Sequence, residues 1–204
     1  MAFSRNWSRA AFAAAVGVVL ALALGATNAF ASCSYPSNGQ TFSQWGDMST
    51  YVPAPGGTFE EGAAGWDLDN ASLVDENESF FLNDSSDSKS LAIADGGSAT
   101  SPAACVDRTY PTFRFMVRNT GSRLAVLKVD AIYRDLLDGS KIKLKTIGFT
   151  TAGSSWSPSL VQVLVLGQLA QAGDESYVQF RFTPVGINAS FQIDDIYIDP
   201  WARR

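Results

Sequence analysis

The sequence predicts an all-β sandwich, and three observations carry that expectation. Short stretches of alternating apolar and polar residues recur through most of the chain, clusters of Gly, Ser, Asn and Asp divide them, and no stretch shows a convincing helical period. Alternation at period two is what a strand half-buried on a core requires, because successive side chains point to opposite faces.

About nine such strands can be justified in chain order. Residues 57–61, 71–75 and 90–95 are the first three, each bounded by Gly, Asp or Ser. Residues 112–118 set Phe113, Phe115 and Val117 against Arg114, Met116 and Arg118, and residues 124–134 set Leu127, Val129, Ala131 and Tyr133 on one side. The Asp138-Gly139 pair then supplies a turn, and 141–147 alternates lysines outward with Ile142 and Leu144 inward, which is the pattern of a hairpin. Residues 160–167 follow, then 177–183 with Val178, Phe180 and Phe182 inward, then 190–200. That spacing suits a sandwich. The one helix-tolerant piece, 167–173, is a turn or two at most.

The last of these strands poses a question. Unbroken alternation puts Phe191, Ile193, Asp195 and Tyr197 on one face and Gln192, Asp194, Ile196 and Ile198 on the other, so whichever face is core carries an acid.

Ahead of the strands, residues 1–31 read as a signal peptide: Arg5 and Arg9, an apolar run from Ala11 to Leu24, and the small-residue pattern Ala29-Phe30-Ala31. The run is shorter than the roughly 20 residues of a bilayer span, so a secreted, extracellular protein with no membrane span is expected. Removing these 31 of the 204 residues leaves 173, enough for one domain with a full core. Residues 32–55 form an extended N-terminal arm broken by Pro36, Gly39, Pro53 and Pro55, and residues 56–200 form the domain. Losing two arginines leaves 13 basic against 20 acidic side chains, and the absence of a basic stripe excludes nucleic acid as the partner. The only cysteines, Cys33 and Cys105, are expected to form a disulfide in an oxidising compartment, tying the arm to the body. Nothing in the chain calls for an oligomer, and a monomer is expected.

The chain contains no histidine, which removes the usual general base and the usual transition-metal ligand. With the cysteines paired there is no thiol nucleophile, so no catalytic residue and no enzyme activity are assigned. Carboxylate-pair chemistry has candidates in Glu60, Glu61, Asp67, Asp69, Glu76, Glu78, Asp194 and Asp195, but no spacing selects a pair.

The stretch Gly57-Thr58-Phe59-Glu60, followed by Gly65-Trp66, and Ile193-Asp194-Asp195-Ile196 near the other end together resemble jelly-roll carbohydrate-binding modules with a galactose-binding-domain-like fold. The resemblance covers about residues 56–199. It implies a jelly roll whose first and last strands are neighbours, with a structural calcium held by Glu60 and Asp194, Asp195 being the alternative, and it implies carbohydrate binding. Over residues 32–204, with Trp45-Gly46-Asp47 and Arg114-Phe115 as further landmarks, the chain also resembles a group of bacterial secreted proteins of unknown function. A hard cation takes 6 to 8 oxygens, which two carboxylates plus loop carbonyls begin to supply. The competing arrangement pairs the acid with Arg114, Arg118 or Arg181.

A sugar site needs an exposed flat aromatic flanked by polar groups. Trp45, Trp66, Trp156, Tyr110 and Trp201 are the possible platforms. Trp156, in the Gly/Ser loop 153–159, is the ligand-binding candidate, and Trp66 is expected in the core. The function expected is therefore a secreted non-catalytic module binding a polysaccharide or cell-envelope glycan; the alternative is a cell-surface structural or protein-interaction protein.

Overall fold

The computed structural model describes residues 35, 39–107, 111–134, 142–164 and 175–199. The signal peptide, Cys33, Tyr110, the Asp138-Gly139 turn, residues 167–173 and Trp201 lie outside them. A 3-10 turn, Ser43–Trp45, precedes eleven strands: β1 (Val52–Pro53), β2 (Asp67–Val74), β3 (Ser90–Thr100), β4 (Ala104–Asp107), β5 (Thr112–Asn119), β6 (Val126–Arg134), β7 (Ile142–Thr150), β8 (Ser157–Pro158), β9 (Gln162–Val163), β10 (Glu175–Val185) and β11 (Phe191–Asp199). All pairings are antiparallel. No helix among the described residues is long and apolar enough to cross a membrane.

The sheet curls into two layers because β2 and β3 bend together. The first half of β3 pairs β11 through Leu91–Ile93, whereas its end pairs β10 through Ala99 and Thr100. The bend falls at Gly96 (φ +75°) and Gly97, where a Cβ would lie 2.6 Å from the Asn70 carbonyl oxygen; opposite it, β2 shifts register between Asp69 and Ala71. One layer is then β5–β11–β3–β2 with β1, β8 and β9 at its margins, and the other is β7–β6–β10 with β4 and the far halves of β3 and β2. This is the jelly-roll β-sandwich expected of the sequence. The core lies between the layers: Phe113 stacks on Phe180 at 4.1 Å between centroids, and Phe115 meets Phe182 edge-on at 5.1 Å.

The inward sets on β5, β6 and β10 are as the alternation predicts. Four expectations are corrected. Residues 57–61 form turns rather than a strand, because Gly57 runs so close to β11 that a Cβ would stand 2.7 Å from the Ile196 carbonyl oxygen, and Phe59 enters the core at φ +60°. Of 160–167, the described part pairs only at Gln162–Val163. Leu144 points outward: it lies opposite Ile132, on the face that Ala131 and Tyr133 turn away from, and a bulge between Val129 and Asp130 lets Ile147 pack on the core instead. Finally, β11 does not carry an acid on its core face. A bulge between Asp194 and Tyr197, with Asp195 at φ +45°, resets the alternation so that Phe191, Ile193, Ile196 and Ile198 all face the core.

Every residue of β11 is nevertheless buried, because the outer side of its layer is covered. The arm brings Phe42 and Tyr51 onto Met116, Trp156 and Tyr197 as a second, smaller core, with Trp45 and Leu82 packed against it. Arg114 fixes the cover: its guanidinium bonds Asp47 at 2.9 Å, donates twice to the Ser159 carbonyl and lies over the Phe42 ring. Tyr51 donates its hydroxyl to the same Asp47 at 2.8 Å. The arm is joined to β11 directly through β1, Val52 opposite Ile198.

Candidate functional site

Of the residues expected to hold a metal, Asp194 and Asp195 lie at the β11 bulge, and Glu60 follows the turn segment that runs beside it. Gly57 approaches β11 and Phe59 is buried, so the next residue, Glu60, turns toward the loop ahead of β3, accepting the Ser88 and Lys89 amides at 2.9 and 2.7 Å. Loop 76–89 crosses the outer side of the same layer. Glu76 pairs with Arg118, and the Glu78 amide donates to Asp194 Oδ2 at 3.2 Å. The Glu78 carboxylate is wholly buried and accepts from the Phe80 and Leu82 amides. Asp87 accepts from the Asn83 side chain at 2.9 Å and the Asp84 amide at 3.2 Å.

Asp194 and Asp195 are almost completely buried. Asp194 Oδ1 accepts the Asp195 amide, while both carboxylate oxygens of Asp195 are buried without a hydrogen-bond partner. Burial first, then the Asp195 charge, pushes Asp194 up to about 9 despite its two backbone donors. Burial pushes Asp195 up to about 8, reinforced by Glu78, Asp87 and Glu60. No arginine compensates them among the described residues: Arg114 is taken by Asp47, Arg118 by Glu76 and Gln192, and Arg181 bonds Ser98. As they stand, no three Asp, Glu or Cys side chains among the described residues converge closely enough to hold a metal ion. No motif in the sequence assigns Glu78 and Asp87 to this cluster. Their signal was an acidic loop enclosing Phe80, Phe81 and Leu82, apolar residues that a solvated loop has no reason to carry.

Trp156 is not the exposed platform that its loop position predicts. It is only 8% exposed, packed with Tyr197 and Met116, and Arg118 lies over its ring at 5.2 Å. Trp66 packs on Phe59 and Phe182, as expected, with its indole N–H bonded to the Gly56 carbonyl. Cys105 lies on β4, and no free cysteine occurs among the described residues.

With one layer covered, the open face is the outer side of β7–β6–β10. It carries Tyr177 (50% exposed), Phe149 (58%) and Leu144, with Gln179 and Arg181 between them on β10 and Lys128 and Asp130 on β6. Asp130 is buried beneath its partners, bonded by Lys128 at 3.0 Å and by the Thr146 hydroxyl at 2.6 Å. From the Tyr177 row to the Thr183–Lys128–Phe149 row is six residues along β10, about 20 Å.

This architecture defines a jelly-roll β-sandwich of the kind seen in carbohydrate-binding modules. The CBM22-1–GH10 modules of Clostridium thermocellum endo-1,4-beta-D-xylanase 10B, complexed with xylohexaose, match it with a TM-score of 0.52 at 14% identity, over 75% of this chain and 28% of theirs. The CBM22-2 xylan-binding domain from Paenibacillus barcinonensis Xyn10C matches with 0.50 at 11% identity, over 70% of this chain and 96% of that one. The chain thus spans little more than a quarter of the first structure and nearly all of the second. No protein-family model matches the sequence, and no curated protein matches it.

Proposed function

We propose that this protein is a secreted, non-catalytic carbohydrate-binding module whose glycan lies along the outer face of β7–β6–β10. The observation that carries the reading is that face itself. It is the layer left open by the arm, it exposes Tyr177 and Phe149, and between them it offers hydroxyl partners in Gln179, Lys128, Thr146 and Arg181. Flat apolar groups to cover sugar rings, flanked by fixed donors and acceptors, are what such ligands need. The two rows are too far apart for one sugar unit, which favours a polysaccharide. The fold neighbours, one complexed with xylohexaose and one a xylan-binding domain, support the same ligand class. Retention on a panel of insoluble polysaccharides tests it, with Tyr177→Ala and Phe149→Ala as controls; absence of retention on every one overturns it.

The same reading includes a structural calcium at the β11 bulge, held by Asp194, Asp195 and Glu60 with Glu78 added. The fit rests on Asp195, a buried carboxylate with two unpartnered oxygens among three further acids and no compensating arginine. Without a cation, burial and the neighbouring acids push Asp194 and Asp195 toward the protonated form; a hard dication would displace those protons and give the buried Asp195 oxygens a partner. The reading also includes removal of residues 1–31 on export and a Cys33–Cys105 disulfide. Intact mass after alkylation without reductant tests the pairing: two alkylated thiols exclude it.

A further inference from the structure

Beyond the ends of β6 and β7 lies a cavity of about 340 Å³, lined by Asn119, Arg123, Gly153, Ser154 and Ser155 among others. We infer that this pocket is a second binding site, one that takes an acidic sugar unit, a uronate, with its carboxylate on Arg123 and its hydroxyls on Ser154 and Ser155. The inference rests on the carbohydrate reading above.

The pocket is built in advance. Its two walls are the β5–β6 and β7–β8 connections, and the Asn119 amide joins them by donating to the Gly153 carbonyl at 2.7 Å. The Asn119 side chain then braces its own loop, accepting the Gly121 amide and donating to the Ser122 carbonyl, both at 2.8 Å. Gly121 is pressed onto the β10–β11 connection, where a Cβ would stand 2.3 Å from the Asn188 carbonyl oxygen, and Thr120 and Ser122 donate to Ser190 and Asn188. Little ordering remains to be done when a ligand enters.

Its charge is singular. Four arginines have described side chains; Arg114 and Arg118 hold carboxylates and Arg181 holds Ser98, while Arg123 makes no hydrogen bond or ion pair among the described residues. In a chain of net charge −5, an unengaged guanidinium facing a cavity beside two exposed hydroxyls has the chemistry for a small polyhydroxylated anion. Location agrees. Phe149, the last exposed aromatic of β7, precedes Thr150 at the strand end, and Ala152 and Gly153 already belong to the pocket, so a glycan lying on the open face meets the pocket where the face ends.

The test is an NMR titration of the full exported chain with D-glucuronate, D-glucose and inorganic phosphate, repeated on Arg123→Gln. Expected are glucuronate shifts at the amides of Arg123, Ser154 and Ser155, none with glucose, and an affinity about tenfold or more weaker in Arg123→Gln, the usual worth of a charge-assisted hydrogen bond. Arg123 is exposed, so the variant folds as the parent does, and Arg123→Lys, keeping charge without the fork, should fall between them. Phosphate binding without glucuronate binding overturns the sugar class, and no shift with either overturns the site. Polysaccharide retention without glucuronate binding sinks this inference alone, whereas glucuronate binding without any retention sinks the open-face reading alone.

Discussion

Arg114 on β5 and Asp47 in the N-terminal arm form an ion pair at 2.9 Å, with both side chains largely buried, and through it the arm is fixed over the outer side of the β5–β11 layer. The pair carries Tyr51, Phe42 and the Ser159 carbonyl with it, so it is the point at which the cover is pinned to the sheet.

Asp47→Asn should therefore weaken the cover. Breaking a buried pair costs about 3–5 kcal/mol when nothing else compensates; here Arg114 keeps Ser159 and Phe42, and roughly 2 kcal/mol is expected. For a domain of this size that lowers Tm by about 4–8 °C, measurable by calorimetry. An unchanged Tm excludes the pinning role.

Acid should have the same effect as that mutation. Burial pushes the Asp47 carboxyl up, but donation from the Ser49 amide, the Tyr51 hydroxyl and Arg114 outweighs it and holds the group below its ordinary value of 3.8. A depressed folded value means the stabilisation is complete above the unfolded value and is lost as pH falls through the folded one. The Tm gap between wild type and Asp47→Asn should be full at pH 6 and shrink below pH 4.

Chelation and the bulge acids can be tested together. Calcium present at a hundredfold excess over Kd stabilises by about 2.7 kcal/mol, so a chelator should lower the wild-type Tm by several degrees and calcium, not sodium, should restore it. Asp195→Asn tolerates the positive φ and replaces a carboxyl that burial already pushes toward its neutral form, so it removes a cation ligand without removing a charge the metal-free fold depends on. It should melt no lower than wild type in chelator and lose the calcium response. A chelator-insensitive wild type containing no calcium by elemental analysis ends the metal reading.

Trp156→Ala should destabilise rather than spare the fold, by roughly 3 kcal/mol, because the indole fills the smaller core beneath Arg118. Tyr177→Ala should do the reverse, leaving Tm within a degree or two while polysaccharide retention falls. Parallel melting and retention curves for the two variants distinguish a packing residue from a contact residue.

The long strands were legible because their periods are. Val178, Phe180 and Phe182 alternate without interruption, and so do Leu127, Val129, Ala131 and Tyr133. The strands β1, β4 and β8 run two to four residues and hold no full period to read. The β11 bulge was hidden for a different reason: an αL residue in a strand leaves no compositional trace, and one extra residue exchanges the two faces of everything after it. For the candidate site, Glu60, Asp194 and Asp195 were legible as motif residues, while Glu78 and Asp87 are brought to them by loop tethers such as Glu76–Arg118 that join residues 42 apart. The burial of Trp156 is not legible locally: a Gly/Ser loop predicts exposure, and whether a loop is covered depends on a distant segment, here the arm.

β11 lies between β3 and β5 in its layer and supplies both its inner and its outer packing. The β5 and β3 edges that it joins are synthesised long before it, and each stays unpaired on that side until residues 191–199 emerge. Vectorial folding from the N-terminus is thereby hindered: the β3–β11–β5 layer cannot close behind a moving ribosome and waits for residues 191–199. With both edges left unpaired and the inner and outer packing of that layer missing, a version stopped at Ser190 should not fold at all rather than fold less stably.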